Sequence, residues 1–294
     1  MQLDMKGEKR IWLVTSKHLE GGVWFPEESD FKVGMNYVAA LAALMVMEIL
    51  AFVLMSNHVH FVLLCTEEEA FAFINEFKRR YGKYIRNKHG IAKLLKRNSV
   101  DIREVPFDNE APEKAIAYVQ MNPVAANICL YPSQYPWGTG KLFFAADTPE
   151  GIRADSISQR ARFKMLCSKT DIPGNWLIGN DGYILPSSYV KVKYVQQLFR
   201  QPGRMSYFLN NSSKAKIRLA EDDSHPAFRD QIIIAAVPDI CRSLFQKYSF
   251  KDLSEPQQVE ALRQMRYRFS SNVHQLARVT GLTYDVVAKL MDSH

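Results

Sequence analysis

The sequence has few cysteines and no long hydrophobic run. Among its 294 residues are four cysteines, at positions 65, 129, 167 and 241, and no two of them form a CxxC pair. Neither a disulfide framework nor a zinc ribbon is therefore expected, and most should be small buried residues. The richest apolar stretch, residues 37–55, is interrupted by Glu48 and does not reach the roughly 18 apolar residues of a membrane span. The N-terminal residues lack the apolar core of a signal peptide, so we expect a cytoplasmic protein.

Acidic residues are missing from one segment. Nine Lys or Arg residues and no Asp or Glu lie between Lys78 and Arg97, within a chain of net charge +7. Such a block is often only the solvated face of a helix. It can also be a phosphate-binding surface, since lysine and arginine release counterions from a nucleic acid. Composition alone does not choose between a solvated face and a phosphate-binding surface. Apolar residues make up 47% of the chain, which is ordinary for a globular protein.

Local patterns predict short strands alternating with helices. The predicted elements are a strand over 10–16, a helix over 30–45, strands over 48–55 and 58–65, and helices over 67–88 and 113–121. Ser56-Asn57 is a tight turn, Thr66 is a good N-cap, and Asn122-Pro123 ends the last helix. Residues 100–107 are extended but ambiguous. This order predicts an α+β, ferredoxin-like fold, a small antiparallel sheet with helices on one face.

Composition divides the chain into three parts. Residues 1–145 hold the strand and helix pattern described above. Residues 146–228 are richer in Gly, Pro, Ser and Asn and are expected to be a loosely patterned connecting region with short helices. Residues 229–294 are predicted to be helical again, with Ser254 and Gln257 forming a capping box.

The first candidate site is the HxH motif, His58 and His60. On a strand, residues i and i+2 project from the same face, so the two imidazoles stand side by side. This spacing suits two ligands of one divalent cation. The alternative is two unrelated histidines near a hairpin turn, because an HxH motif alone is weak.

The second motif is Tyr118 with Asn122, one helical turn later. A phenol can act as a nucleophile toward phosphorus, and an amide oxygen can be a third metal ligand. The plain alternative is a core tyrosine followed by an Asn-Pro helix stop. Phosphodiester cleavage needs a nucleophile, a Lewis acid and a cationic surface, and the first 125 residues offer candidates for all three.

These motifs together resemble those of a known family. Residues 55–60 (MSNHVH), the basic helix and residues 118–124 (YVQMNPV) look like the REP-associated tyrosine transposases, which are single-tyrosine HUH transposases. The resemblance covers residues 8–140. Two departures stand out: Ser56 replaces the usual proline, which should loosen the turn, and residues 125–127 (AAN) replace a basic residue and a glycine.

The resemblance implies a function for residues 1–145. Tyr118 would be the catalytic nucleophile, and His58, His60 and Asn122 would hold Mg²⁺ or Mn²⁺. Such enzymes are nucleases that cleave and join single-stranded DNA at hairpins formed by imperfect palindromes, through a 5′-phosphotyrosine intermediate, in DNA transposition and recombination. A monomer or homodimer associated with the nucleoid, without a membrane partner, is implied. One rival is a non-catalytic regulator that binds hairpin DNA, and another is a replication initiator or relaxase.

Two further segments are predicted to bind DNA. The first is the basic helix, whose predicted DNA-binding residues are Lys78, Arg79, Arg80, Lys83 and Arg86. Of these, Arg79, Lys83 and Arg86 share a face. Tyr81 and Tyr84 are expected to pack rather than to stack on bases.

The second segment, residues 275–290, resembles a helix-turn-helix. Small Ala277 lets the helices approach, Gly281 takes the turn and Thr283 caps the second helix. Thr283 and Tyr284 would then meet the DNA groove. The alternative is a helical hairpin with a structural or protein-docking role.

Overall fold

The computed structural model describes residues 7–19, 22–91, 94–95, 98–147, 150–213 and 228–292. The strands are β1 Arg10–Ser16, β2 Glu48–Met55, β3 His58–Cys65, β4 Val100–Val105, β5 Ile152–Arg153 and β6 Leu177–Ile178. The first helices are α1 Glu28–Leu44, α2 Glu67–His89, α3 Ala111–Gln120, α4 Asn122–Ala125 and α5 Gln159–Leu166. The later helices are α6 Val192–Phe199, α7 Pro202–Asn210, α8 Asp230–Phe245, α9 Glu255–Phe269, α10 Val273–Thr280 and α11 Tyr284–Asp292.

The main sheet has four strands in the order β2-β3-β1-β4, and each neighbouring pair is antiparallel. With α1 between β1 and β2 and α2 between β3 and β4, this is the ferredoxin-like arrangement, and the predicted α+β fold class is confirmed. The ambiguous patch forms β4, an edge strand beside β1. Its alternate residues are exposed, which is why its apolar pattern was too weak to identify it.

Sequence signals correctly placed the boundaries around β3 and α2. Ser56 and Asn57 form the turn of the β2–β3 hairpin. Thr66 Oγ1 accepts a hydrogen bond from the backbone N–H of Glu69, and the Glu69 carboxylate accepts one from the Thr66 N–H, so both halves of a capping box are present. Gly90, with φ of 70°, ends the helix in the left-handed region that glycine adopts at little cost.

Helices cover both faces of the sheet rather than one. Phe61 of β3 contacts Phe73 and Phe77 of α2, whereas His60, its neighbour in the strand, contacts Tyr118 of α3. Successive residues of a strand point to opposite faces. The face carrying His60 is therefore opposite the face that packs on α2.

The described part of the connecting region packs tightly against the sheet. Ile184, Phe199 and Phe208 belong to the same buried cluster as Phe52 of β2. The outer edge of β2 is covered too, because Val53 bridges to Gly138 and Ile49 bridges to Val190. The short helices expected in this region are present as α5, α6 and α7. Residues 150–213 also pack on the sheet through long-range contacts, which leave no periodic signal in the sequence.

Helices α8–α11 surround a second hydrophobic core. Its buried residues run from Ile233 to Leu290. The capping box of Ser254 and Gln257 is present, and Gly281, with φ of 76°, separates α10 from α11. The two predicted helices and the glycine turn between them are therefore present. Residues 214–227 lie outside the described residues.

Candidate functional site

The two histidines of the HxH motif lie side by side on one face of β3. Their ring centroids are 4.7 Å apart and their planes are nearly perpendicular. Both side chains are buried. The strand geometry thus brings the two imidazoles together as the i, i+2 spacing predicted.

Each imidazole is oriented by a polar neighbour. Nδ1 of His60 is 3.0 Å from Oγ1 of Thr15, the residue opposite it on β1, and Nδ1 of His58 is 2.8 Å from Oδ1 of Asn57. A hydrogen bond to one ring nitrogen fixes the tautomer and the ring orientation of a metal-binding histidine. In both rings, Nε2 is then the atom suited to a metal.

Tyr118 lies against this histidine pair. Its ring centroid is 5.6 Å from that of His60, edge to face. Burial raises the pKa of Tyr118, an effect that Arg103 opposes and Asp101 increases. The phenol is therefore protonated at neutral pH, and attack on phosphorus would require the loss of its proton.

Asn122 lies one turn after Tyr118, at the break between α3 and α4. Its Nδ2 donates to the backbone carbonyls of Tyr118 and Val119, at 2.9 and 3.3 Å. These bonds use the donor side of the amide and satisfy carbonyls at the helix end. The oxygen Oδ1 is then the atom suited to a cation. Imidazole nitrogens bind divalent transition-metal ions, and an amide oxygen also suits Mn²⁺ or Mg²⁺.

Sequence reasoning missed three groups around this site. The ring of His18 stacks on that of His58, with centroids 3.8 Å apart. Thr15 orients His60, as described above. The hydroxyl of Ser56 donates to the buried carboxylate of Asp230 at 2.6 Å. No local signal could identify these groups, since each contact depends on the register of β1 or on the docking of α8.

The predicted DNA-binding residues of α2 lie across the sheet from Tyr118. Arg79 and Arg80 both pair with Glu76, and Lys78 donates to the backbone carbonyl of Asn98. Lys83 and Arg86 are exposed. A groove of about 910 Å³ is lined by Arg79, Lys83, Lys88 and Lys169, among others. Tyr81 is fully buried and Tyr84 is partly buried and bonded to Asp30, so both pack as expected.

The other predicted DNA-binding residues, Thr283 and Tyr284, are exposed at the start of α11. They line a cleft of about 680 Å³ that also reaches His18 and Asn57. The start of α11 therefore faces the same cleft as His18, whose ring stacks on that of His58.

A second cluster of ligand atoms lies on α1 and α2. Atoms of Glu27, Asp30 and His89 lie within 4.8 Å of one another, so this cluster could hold a metal. However, Lys88 Nζ lies 2.8 Å from both carboxylates. The ammonium group already supplies the positive charge that a metal would bring, and we assign this cluster to stability.

No family model and no curated protein matches the chain. Among solved structures, it is similar to a REP-associated tyrosine transposase bound to a REP hairpin, with 14% identity, 45% of this chain and 77% of that chain covered, and a TM-score of 0.37. That protein belongs to the family whose motifs the sequence of this chain resembles. Among the described residues, no helix is both long enough and apolar enough to cross a membrane.

Proposed function

We propose that this chain is a metal-dependent endonuclease and transposase that cleaves and joins single-stranded DNA at hairpins, with Tyr118 as nucleophile. The observation that carries the proposal is the placement of Tyr118 against His60, beside a second buried histidine. A nucleophile next to a candidate metal site is the arrangement that phosphodiester cleavage requires.

The side chains have distinct roles in this proposal. His58 and His60, through Nε2, and Asn122, through Oδ1, would hold Mn²⁺ or Mg²⁺, which when bound polarises a phosphoryl oxygen as a Lewis acid. Thr15 and Asn57 keep the two rings in the required orientation.

The covalent step balances without a further reagent. The Oη atom of Tyr118 forms a bond to phosphorus, and the bond from phosphorus to the 3′-oxygen breaks. The phenolic proton is lost to solvent, and the 3′-oxygen takes up a proton to give a 3′-hydroxyl. A 5′-phosphotyrosine remains, and attack by another 3′-hydroxyl reverses the step and joins strands.

The test is formation of the covalent adduct. The full chain is incubated with Mn²⁺ and a stem-loop oligonucleotide copied from the DNA that flanks its gene, with single-stranded extensions. The wild type should give an adduct whose peptide maps to Tyr118. Tyr118→Phe should give neither adduct nor nick but bind the stem-loop nearly as well, and the exposed Tyr131→Phe is the matched control.

Two results would contradict the proposal. Normal cleavage by Tyr118→Phe would exclude this nucleophile. Tight binding of the stem-loop by a wild type that forms no adduct with either metal would instead favour the non-catalytic regulator.

A further inference from the structure

The cleft between the two hydrophobic cores joins the proposed nuclease site to the start of α11. We call it the interdomain cleft. It is lined by His18, Asn57 and Asn127 from the first 145 residues and by His274, Thr283 and Tyr284 from the C-terminal helices and the turn between them. Because the ring of His18 stacks on that of His58, the cleft begins next to the candidate metal ligands.

The walls of the interdomain cleft offer the groups that recognise a nucleobase. The rings of His274 and Tyr284 are stacked with centroids 4.4 Å apart, and 40% of Tyr284 is exposed. Exposed aromatic rings provide stacking surfaces for unpaired bases. Thr283 adds an exposed hydroxyl group, which can donate and accept a hydrogen bond at a base edge.

The charge of the cleft favours a base over a phosphate. Arg278 is the only lysine or arginine among the described residues of its wall. That guanidinium is bonded to Asp230 at 2.9 and 3.3 Å, and Asp285 adds a further exposed carboxylate. The wall therefore lacks the excess positive charge that binds phosphates. An uncharged aromatic base fits these walls better.

Buried hydrogen bonds fix the two walls relative to each other. The Asp230 carboxylate accepts from Ser56 on the nuclease side and from Gln275 and Arg278 of α10. The side chain of Gln231 donates to the backbone carbonyl of Phe25 at 2.8 Å. A fully bonded buried network specifies one arrangement of the parts that it joins. The cleft is therefore a built feature of the fold.

We propose that the interdomain cleft binds one unpaired base of the DNA strand beside the cleaved phosphate, stacked on Tyr284. This inference rests on the proposed nuclease function. It also changes the role expected for the helix-turn-helix. A volume of about 680 Å³ is that of a site for one small ligand. A recognition helix whose first residues face such a cleft is not placed to enter the major groove of a duplex.

The experiment uses the full chain and the stem-loop described above, in a series with one abasic position in each unpaired extension. In the wild type, an abasic residue at the position that occupies the cleft should weaken binding about five- to 150-fold, the range measured for the loss of one stacked base. Tyr284→Ala should weaken binding of the intact strand by a similar factor. This variant should then bind the strand with that abasic position as tightly as it binds the intact strand. Tyr284→Phe, which keeps the ring, should retain binding.

Tyr267→Ala is the matched control, since this tyrosine is 88% exposed on α9 and lies outside the cleft. Circular dichroism and thermal unfolding show whether each variant is folded, and Thr283→Val, which keeps the side-chain shape, is a second probe of the wall. Unchanged affinity in both Tyr284→Ala and Thr283→Val would overturn the proposal. An effect confined to a fully paired duplex would overturn it too, in favour of groove reading.

The nuclease function and the base site can fail separately. If the wild type forms no adduct on Tyr118 but Tyr284→Ala removes the sensitivity to one abasic position, the base site stands and the nuclease function fails. If the adduct forms and Tyr284→Ala has no effect on any strand, the nuclease function stands and the base site is wrong.

Discussion

The hydroxyl of Ser56 donates a 2.6 Å hydrogen bond to the carboxylate of Asp230, 174 residues later in the chain. Ser56 begins the turn that precedes the two histidines of β3, and Asp230 is the first residue of α8. Both groups are buried. Since Asp230 also binds Gln275 and Arg278, this contact connects the histidine turn to the C-terminal helices.

Ser56→Ala should destabilise the protein by about 2 kcal/mol, the usual range for loss of a hydrogen bond to a charged group. Gln275 and Arg278 still bind Asp230 in this variant, so the carboxylate is not left unpaired. Urea unfolding would measure the loss. Ser206→Ala, on the exposed side of α7, is the control and should change the unfolding free energy little. Equal midpoints for the two variants would show that the contact contributes nothing.

Thr15→Val should weaken metal binding about ten- to 100-fold, because it removes the group that orients His60 without removing a ligand. The side chains have similar shape, so the fold should survive. Titration of Mn²⁺ followed by calorimetry would give the affinity, independent of cleavage. An affinity equal to that of the wild type would show that the hydrogen bond does not orient a ligand.

EDTA should stop cleavage, and Mn²⁺ or Mg²⁺ should restore it. His60→Ala should abolish this restoration at metal concentrations sufficient for the wild type, whereas His89→Ala should behave as the wild type does. His89 belongs to the cluster with Glu27 and Asp30, in which Lys88 supplies the positive charge. The reverse result would place the metal at that cluster, and cleavage without any metal would contradict the ligand assignment.

Replacing both Lys83 and Arg86 of α2 by alanine in one variant should reduce the dependence of DNA affinity on salt concentration. Each lost phosphate contact should lower the slope of log affinity against log salt by about 0.9 for a duplex stem. Because α2 lies across the sheet from Tyr118, the defect should be in affinity, and excess DNA should restore cleavage. The exposed Lys247→Ala, in the loop after α8, is the control. An unchanged slope would mean that this helix face is only solvated.

The Asp30 carboxylate should contribute to stability until the solution becomes strongly acidic. Burial disfavours its charge, but hydrogen bonds from Lys88, Tyr84 and His89 hold the pKa of Asp30 below its usual value. A depressed folded pKa gives stability that is present above about pH 4, the unfolded value, and is lost as the pH falls through the folded pKa. Between pH 6 and 2, the unfolding temperature should therefore fall less steeply for Asp30→Asn than for the wild type. The exposed Asp171→Asn is the control and should behave as the wild type does. Parallel curves for all three proteins would contradict this.

Local signals in the sequence were enough for much of the fold. Thr66 and Gly90 bound α2, Ser56 and Asn57 form the hairpin turn, and Gly281 separates α10 from α11, each through the chemistry of a few adjacent residues. Strand β4 stayed ambiguous because an edge strand with exposed alternate residues has a weak apolar pattern. The packing of residues 150–213 on the sheet could not be predicted, because their partners, such as Phe52, are far away in sequence.

The sequence by itself determined that His58 and His60 share a strand face and that Tyr118 and Asn122 are one helical turn apart, because strand and helix periodicity follow from backbone geometry. Only the tertiary structure decided which elements meet. It placed Tyr118 against His60, put α2 on the opposite face of the sheet, and directed Tyr284 toward the histidine turn. Periodicity shows that a helix has a charged or apolar face, but strand order and long-range hydrogen bonds, such as that between Ser56 and Asp230, decide what lies opposite that face.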